Sequence, residues 1–382
     1  MKGMKNLNFE PHAIVIGKDS LEYLKQIPVR RVMIVTGSQS MKKAGVIEKI
    51  IGYLETAEKV VVHGGIHQDP TIEEVEAGVA EMRELAPDTV IAVGGGSTMD
   101  AAKAMALFYE FPELSFETIT KATLPPRREK TTLIAIPSTS GTGSEATRTS
   151  VISDTQNCLK IPIISLCLKP DIAILDSALT ATMPPRIAAE TGMDALTHAI
   201  ECYTRHDLDD FDEVLAKGAI EGILKWLPVS CLEGTPESRE KMHHYQCIAG
   251  MSFTNVGVAV IHGIAHALGA RFHMAHGLAC AVVLPFALKF NRQDPTVDEK
   301  LRYLSRLCGC EDIVEAICQL ENTIGIPGSL QKAGIGEEEF LGSLEFVVQS
   351  SLLGATKFNP IPMTEESIRA LLKEAYYGKT ID

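Results

Sequence analysis

The sequence is poor in several features that would assign a class on their own. It has no excess of basic residues: 36 Lys and Arg stand against 49 Asp and Glu, a net charge of −13, with the acids spread along the chain. That balance argues against a surface for nucleic acid or for an anionic membrane, and leaves small molecules or further copies of the chain as expected partners. Among nine cysteines there is no CxxC, and the close pair Cys308 and Cys310 has no ligand-type neighbours in sequence, so reduced structural thiols are expected. Nowhere do about 18 apolar residues run without interruption. The opening MKGMKNLNFEPHAIVIG lacks the apolar stretch and small-residue cleavage site of a secretory leader, so a cytoplasmic location is the expectation. Internal repeats and low-complexity tracts are absent as well.

What is present reads as a folded chain of two parts. Hydrophobic residues make up 45% and charged residues 22%, which suits a globular protein. At 382 residues the chain exceeds the roughly 250–300 at which single cores stop growing. In the first half, short β-branched runs such as RVMIVTG, KVVVHGG, DTVIAVGGGS, TTLIAIPSTSGTG and PDIAILD alternate with helical patterns such as TIEEVEAGVAEMREL. Apolar runs of this length, bounded by Gly, Pro and Ser, predict buried parallel strands joined by crossover helices. After about residue 180 the alternation gives way to long helical stretches, RIAAETGMDALTHAIECY and FDEVLAKGAIEGILKWL among them. The change falls near SALTATMPP, where Pro184 and Pro185 stop one helix and suit the first turn of another. The expected domains are therefore 1–180, α/β, and 181–382, all-helical.

The Rossmann fingerprint GxGxxG is also missing. In its place, VIAVGGGSTMDAAKAM runs strand, three glycines, Ser97, helix. Glycines let backbone approach a phosphate, and the free N–H groups of a helix start attract an anion. Alone, GGGS is equally a tight turn. A second loop after a strand, PSTSGTGSE at 137–145, adds hydroxyls and glycines, and two such loops together point to a dinucleotide.

Asp194 and His198 lie four residues apart, so a helix places both on one face, where they can reach one cation or act as a cap and a core histidine. VAVIHGIAHALGARFHMAHG then supplies His262, His266, His273 and His276. HGIAH lacks the glutamate that a zincin needs after its first histidine, since Gly263 stands there, so metalloprotease chemistry is not expected. A carboxylate with three imidazoles suits Fe(II) or Zn(II) better than Ca(II) or Mg(II). Spacing alone does not say which three histidines bind.

In combination and in order, GGGSTMDAAK, STSGTGSE, GMDALTHAIE, HGIAHALG, HMAHG and FNPIPMTEESIRALLKEAYYG resemble the iron-containing (group III) alcohol dehydrogenase family over nearly the whole chain. The resemblance implies an α/β dinucleotide-binding domain followed by an all-helical domain, the dehydroquinate synthase-like architecture, with the active site in the cleft between. It implies Asp194, His198, His262 and His276 as metal ligands, and His266 facing substrate and nicotinamide; His266 or a water chain is the candidate proton donor. For the cofactor it implies Gly95, Gly96 and Ser97 at the pyrophosphate, Asp100 beside them, Thr139 and Thr142 in the second loop, and Lys160 towards the nicotinamide ribose. The implied reaction is hydride transfer between a short-chain primary alcohol or diol and NAD(P), with Fe(II) or Zn(II) as Lewis acid, in a homodimer or larger homo-oligomer.

One absence departs from the family pattern. NAD-preferring members end the strand near residue 35 in Asp, whereas VTGSQS has Gly37 there, followed by Ser38. Without that carboxylate a 2′-phosphate is not repelled, so NADP is the expected preference, unless Gly37 merely makes a turn. A dehydroquinate synthase-like lyase would need a basic cleft for its sugar phosphate, and 180–290 shows no Arg/Lys cluster beside the ligands. A zinc polyol dehydrogenase of the glycerol type, or a non-catalytic protein that binds metal or senses nucleotide, would also carry a dinucleotide loop and a histidine cluster. Phe253 is expected either to line the substrate pocket or to sit in the core.

Overall fold

The computed structural model describes residues 12–37, 39–119, 123–124, 126–157 and 159–378. The chain divides into two compact units, one ending at Thr182 and the other beginning at Met183.

In the first unit, strands β1 (Ala13–Ile16), β2 (Arg31–Gly37), β3 (Lys59–Ile66), β4 (Thr89–Gly94), β5 (Thr132–Pro137) and β8 (Ile172–Leu175) form one sheet in the order β1-β8-β5-β4-β2-β3. Every pairing in it is parallel. Helices α1 (Ser40–Lys43), α2 (Val46–Tyr53), α3 (Ile72–Leu85) and α4 (Gly96–Glu110) connect the strands, and a separate antiparallel hairpin pairs β6 (Thr149–Asp154) with β7 (Leu159–Ile164). The two-residue period of a strand sorts its side chains onto two faces. Met33, Val35, Val90, Ala92, Leu133 and Ala135 meet Val75 and Val79 of α3 and Met105 of α4 on one side. Val32, Ile34, Ile91, Val93, Ile134 and Ile136 meet Ile47 and Ile50 of α2 on the other. Both faces are covered, which is why the strands read as unbroken apolar runs.

Chain direction reverses across this sheet at β2 and β4. From β2 the chain steps outwards to β3, then crosses back to β4 and continues to β5. The carboxyl ends of β2 and β4 therefore flank a switch point, the place where open α/β sheets hold ligands.

The second unit contains only helices among its described residues: α5 (Pro185–Thr204), α6 (Asp210–Leu232), α7 (Pro236–Val256), α8 (Val260–Phe272), α9 (His276–Asn291), α10 (Pro295–Cys308), α11 (Ile313–Ile324), α12 (Glu337–Ser351) and α13 (Glu365–Tyr377), with a short 3-10 helix at Gly354–Phe358. The central helix is α5, buried at nearly every position from Ala188 to Thr204. Its small residues allow this: a Cβ at Gly192 would stand 2.2 Å from Leu227 of α6. Between α7 and α8 the chain bends by 103° at Gly257, whose φ of 81° favours glycine. No single described helix is long and apolar enough to cross a membrane.

One buried carboxylate in this unit carries a stability prediction. Glu321 of α11 is 4% exposed, its Oε1 has no hydrogen-bond partner, and burial pushes its pKa from the ordinary 4.5 up to about 8. The folded state therefore holds a proton that the unfolded chain releases near 4.5, so this group's contribution is intact below that pH and is lost as pH rises through about 8. Glu321→Gln should leave the melting temperature unchanged at pH 4 and raise it at pH 8.5, by up to a few kcal/mol in stability. Equal melting shifts at both pH values would refute the assignment.

Candidate metal centre and dinucleotide loops

Three helices of the second unit bring their donors to one point. Asp194 and His198 come from the middle of α5, His262 from the first turn of α8 and His276 from the first residue of α9. Asp194 Oδ1 lies 3.8 Å from His198 Nδ1, 3.6 Å from His262 Nε2 and 3.5 Å from His276 Nε2. These separations exceed the roughly 2.7–3.2 Å of a hydrogen bond. They match the spacing of about 3.4 Å between neighbouring ligands of a tetrahedral cation with bonds of about 2.1 Å. Asp194 Oδ1, His198 Nδ1 and His262 Nε2 are all buried without a hydrogen-bond partner, a costly arrangement that a shared cation relieves. The donor set thus fits a divalent cation of the Fe(II) or Zn(II) kind.

The electrostatics agree. Burial alone would raise the Asp194 carboxyl, but His198, His276 and His262 outweigh it and hold it well below the carboxylate range. Burial pushes His198 down to about 3 against the pull of Asp194, with His262 and His276 adding to the fall, so its imidazole is neutral and free to donate a lone pair. At His262, burial is opposed by Cys280, Glu201 and Asp194, which raise it. Protons and a cation therefore compete for this nitrogen.

Close backbone contact makes the convergence possible. A Cβ at Gly277 would fall 2.2 Å from Glu190 O and 3.3 Å from Asp194 Cβ, so glycine lets the start of α9 press against α5 and carries His276 to Asp194. At Gly263 a Cβ would lie 2.0 Å from Thr356 Oγ1 and 2.9 Å from Ser351 O. The position after His262 has no room for the glutamate of a zincin.

Sequence reasoning missed Glu201, seven residues after Asp194 on α5 and 3% exposed. Its carboxylate accepts from Ala259 N (2.9 Å) and Ile261 N (2.6 Å) and contacts His262 Nδ1 at 2.6 Å. It caps α8, whose own N-cap residue Ala259 has no side chain to do so, and holds Nδ1 so that Nε2 faces Asp194. Cys280 was missed as well: with Asp194, His262 and His276 it forms a group whose ligand atoms all lie within 4.8 Å of one another. His198 stands outside that group, stacked between Phe253 (centroids 4.2 Å) and His262 (4.3 Å). His266, one turn beyond His262, stacks on the His276 ring at 5.2 Å. His273 ends α8 with φ of 53° and is not among the donors at Asp194.

In the first unit, the two sequence loops meet. The N-cap of α4 is Gly95, no side chain caps this end and its first turn has no acid, so its amides are available to an anion. A Cβ at Gly96 would fall 2.6 Å from Thr142, and one at Gly95 would touch Thr139 at 3.5 Å. Only the first of these glycines is required by packing. Asp100 accepts from Ser144 Oγ (2.9 Å) and Val151 N (2.9 Å), which ties the second loop and the hairpin to α4. Lys103, also unremarked in the sequence, is fully buried and donates to Ser144 Oγ, Thr147 and Thr149 O, and burial lowers it to about 8. Lys160 on β7 pairs with Asp69 at 2.6 Å, and Asp69 N donates to Ser97 Oγ at 3.3 Å, so Lys160 stands beside the first loop. Gly37 ends β2, while Ser38 lies outside the described residues.

A profile of the family described as iron-containing alcohol dehydrogenase matches residues 11–177, and one described as the C-terminal part of the Fe-containing alcohol dehydrogenase family matches 188–376. The chain belongs to the iron-containing alcohol dehydrogenase family. It is similar to an NADPH-dependent butanol dehydrogenase of Clostridium saccharobutylicum, at 40% identity over 97% of this chain and 98% of the relative. It is also similar to a 1-propanol dehydrogenase of Citrobacter freundii, at 34% identity over 94% and 96%. The solved iron-containing alcohol dehydrogenase of Thermococcus thioreducens shares the fold with a TM-score of 0.90, at 33% identity over 98% of this chain and all of that one. As a member of this family the protein is a metal-dependent, NAD(P)-linked oxidoreductase that interconverts an alcohol and its carbonyl compound.

Proposed function

We propose that this iron-containing alcohol dehydrogenase interconverts short-chain primary alcohols or diols and their aldehydes, with NADP(H) preferred. In this reading Fe(II), or Zn(II), is held by Asp194, His198, His262 and His276. The observation that carries the proposal is the meeting of unpartnered buried donors at Asp194 Oδ1. The cation supplies Lewis acidity to the alcohol oxygen, and the nicotinamide supplies the hydride acceptor or donor.

The remaining chemistry falls to the chain. Residues up to about 180 bind the dinucleotide: the amides of Gly95, Gly96 and Ser97 take the pyrophosphate, Thr139 and Thr142 close over it, and Lys160 reaches the nicotinamide ribose. Asp100 acts one step back, by fixing Ser144 and the hairpin. In the part from about 181 onwards, Glu201 orients His262, and Phe253, which stacks on His198, lends an apolar wall to a short aliphatic chain. His266 supplies or removes the proton at the substrate oxygen, since it stacks on His276 yet is not needed to complete the donor set. His266→Ala should lower kcat by roughly 10²–10⁴-fold while metal content stays at the wild-type level. Loss of the metal would make it a ligand instead.

The NADP(H) preference draws support from Gly37. Its φ is not in the left-handed region, and a Cβ there would meet Thr98 Oγ1 at 3.4 Å and Ile66 O at 3.6 Å, ordinary contacts. Packing leaves room for a side chain there, so a bare position beside the ribose is in keeping with a coenzyme that carries a 2′-phosphate. The relative with 40% identity is named as NADPH-dependent. We take the location as cytoplasmic, in keeping with eight described cysteines that are all free, and the assembly as a homodimer or larger.

The test is anaerobic purification, metal analysis, and oxidation of NADPH or NADH with butyraldehyde, with and without added Fe(II) or Zn(II). Metal-dependent turnover that favours NADPH is expected. Gly37→Asp should move the ratio of kcat/KM values towards NADH by about tenfold or more, since each 1.36 kcal/mol is a decade. Equal use of NADH by the unaltered protein would remove the NADP(H) part. No turnover of butyraldehyde with either coenzyme, despite one bound metal per chain, would overturn the short-chain aldehyde and point to another class of carbonyl substrate.

A further inference from the structure

One side chain at the metal centre has no part in the chemistry above. Cys280 lies on α9 one turn after His276, so the two share a helix face, and its side chain is fully buried. Its Sγ is 3.7 Å from His276 Nε2, and its place in the group with Asp194 and His262 keeps every donor atom within 4.8 Å of the others. In the same group, Asp194 Oδ1 and His262 Nε2 are buried and without hydrogen-bond partners.

We propose that Cys280 is a further donor to the cation, giving the site one sulfur beside its carboxylate and imidazoles. This rests on the reading that the cation sits among Asp194, His262 and His276.

Two arguments carry it. The first is an exclusion: His276 Nε2 can accept from the Cys280 thiol or donate its lone pair to a cation, but not both. Once the cation takes the imidazole nitrogens, a buried thiol loses its imidazole partner and is left facing a positive charge. The second is distance. A sulfur at about 2.3 Å and a nitrogen at about 2.1 Å from one tetrahedral cation stand about 3.6 Å apart, and Cys280 Sγ lies 3.7 Å from His276 Nε2. A sulfur donor also biases the site towards Zn(II), Fe(II) and Co(II) and away from Mg(II) and Mn(II).

The experiment is X-ray absorption spectroscopy of the Zn(II)-loaded, coenzyme-free protein, with metal content measured on the same samples. A sulfur scatterer at about 2.3 Å is expected in the unaltered chain, beside nitrogen and oxygen at about 2.0–2.1 Å. Cys280→Ser should lose the sulfur shell, and Cys308→Ser, altered at a distant thiol, should keep it. A Cys280→Ser protein with unchanged circular dichroism that no longer retains the cation supports the proposal equally. A fully loaded wild type showing nitrogen and oxygen alone overturns it, as does a sulfur shell that survives in Cys280→Ser. A wild type that holds no stoichiometric cation would instead sink the reading of the metal centre on which this one stands.

Discussion

Asp194→Asn should leave the protein folded but almost free of metal, with kcat/KM for aldehyde reduction down by roughly 10³-fold or more, a loss of several kcal/mol of Lewis-acid stabilisation. Among the described residues, Asp194 supplies the carboxylate at the point where His198, His262 and His276 meet, and its Oδ1 is within 3.5–3.8 Å of all three. An amide of the same shape keeps the packing and removes the charge, so the loss measures electrostatics and not a cavity. Dinucleotide binding is the internal control. The residues read as contacting the coenzyme, on α4, β7 and the loop after β5, are not among those read as holding the cation, so the Kd for NADPH by fluorescence should stay within about twofold of the unaltered value. Retention of a full complement of metal by this variant would show that the cation sits elsewhere.

Gly277→Ala tests how that point is assembled, with an opposite result at a control site. The added Cβ would lie 2.2 Å from Glu190 O and 2.8 Å from its carbonyl carbon. These are backbone atoms and cannot turn aside, so the start of α9 must lift from α5 and take His276 with it. Overpacking of this kind costs about 1–3 kcal/mol, and a displaced ligand should weaken metal affinity by about 10–100-fold. Gly218, inside α6, has nothing within 4 Å of the same added carbon. Gly218→Ala should therefore raise stability by about 0.5–1 kcal/mol through helix propensity alone. Denaturant melts and metal titrations on the two variants separate these outcomes, and an unchanged metal affinity in Gly277→Ala would contradict the packing argument.

Much of the architecture was legible because its strands are buried on both faces. RVMIVTG, TVIAVG and TLIAIP carry their β-branched runs without polar interruption, and the alternation of faces follows from the strand period. The hairpin of β6 and β7 was not legible. TSVISD is polar at four of its six positions and LKIPII contains Pro162, so neither gives a run or a clean alternation. At four residues and on the sheet edge, β1 is too short to register. In the metal centre, the histidines stood out by clustering, yet Glu201 did not, although it belongs to the same stretch as Asp194. Its partner His262 is 61 residues away, and a carboxylate on a helix looks the same in sequence whether it faces water or caps another helix. Cys280 was hidden by its setting in ACAVVLP, where a thiol reads as one more small apolar residue. His273 was counted with the other histidines of the cluster, because a left-handed helix end leaves no trace in the spacing of side chains.

The contact at Gly263 also bears on ancestry and descent. With a hydroxyl and a backbone carbonyl standing where its side chain would begin, this helix cannot reach the zincin pattern by any single codon change that keeps α8 in place. A lineage that began from this scaffold meets that contact whatever alcohol or coenzyme it uses. To hydrolyse a peptide bond in the zincin manner it would first have to move Thr356 and Ser351 with the backbone that bears them, so that road is barred by shape before chemistry is ever put to selection.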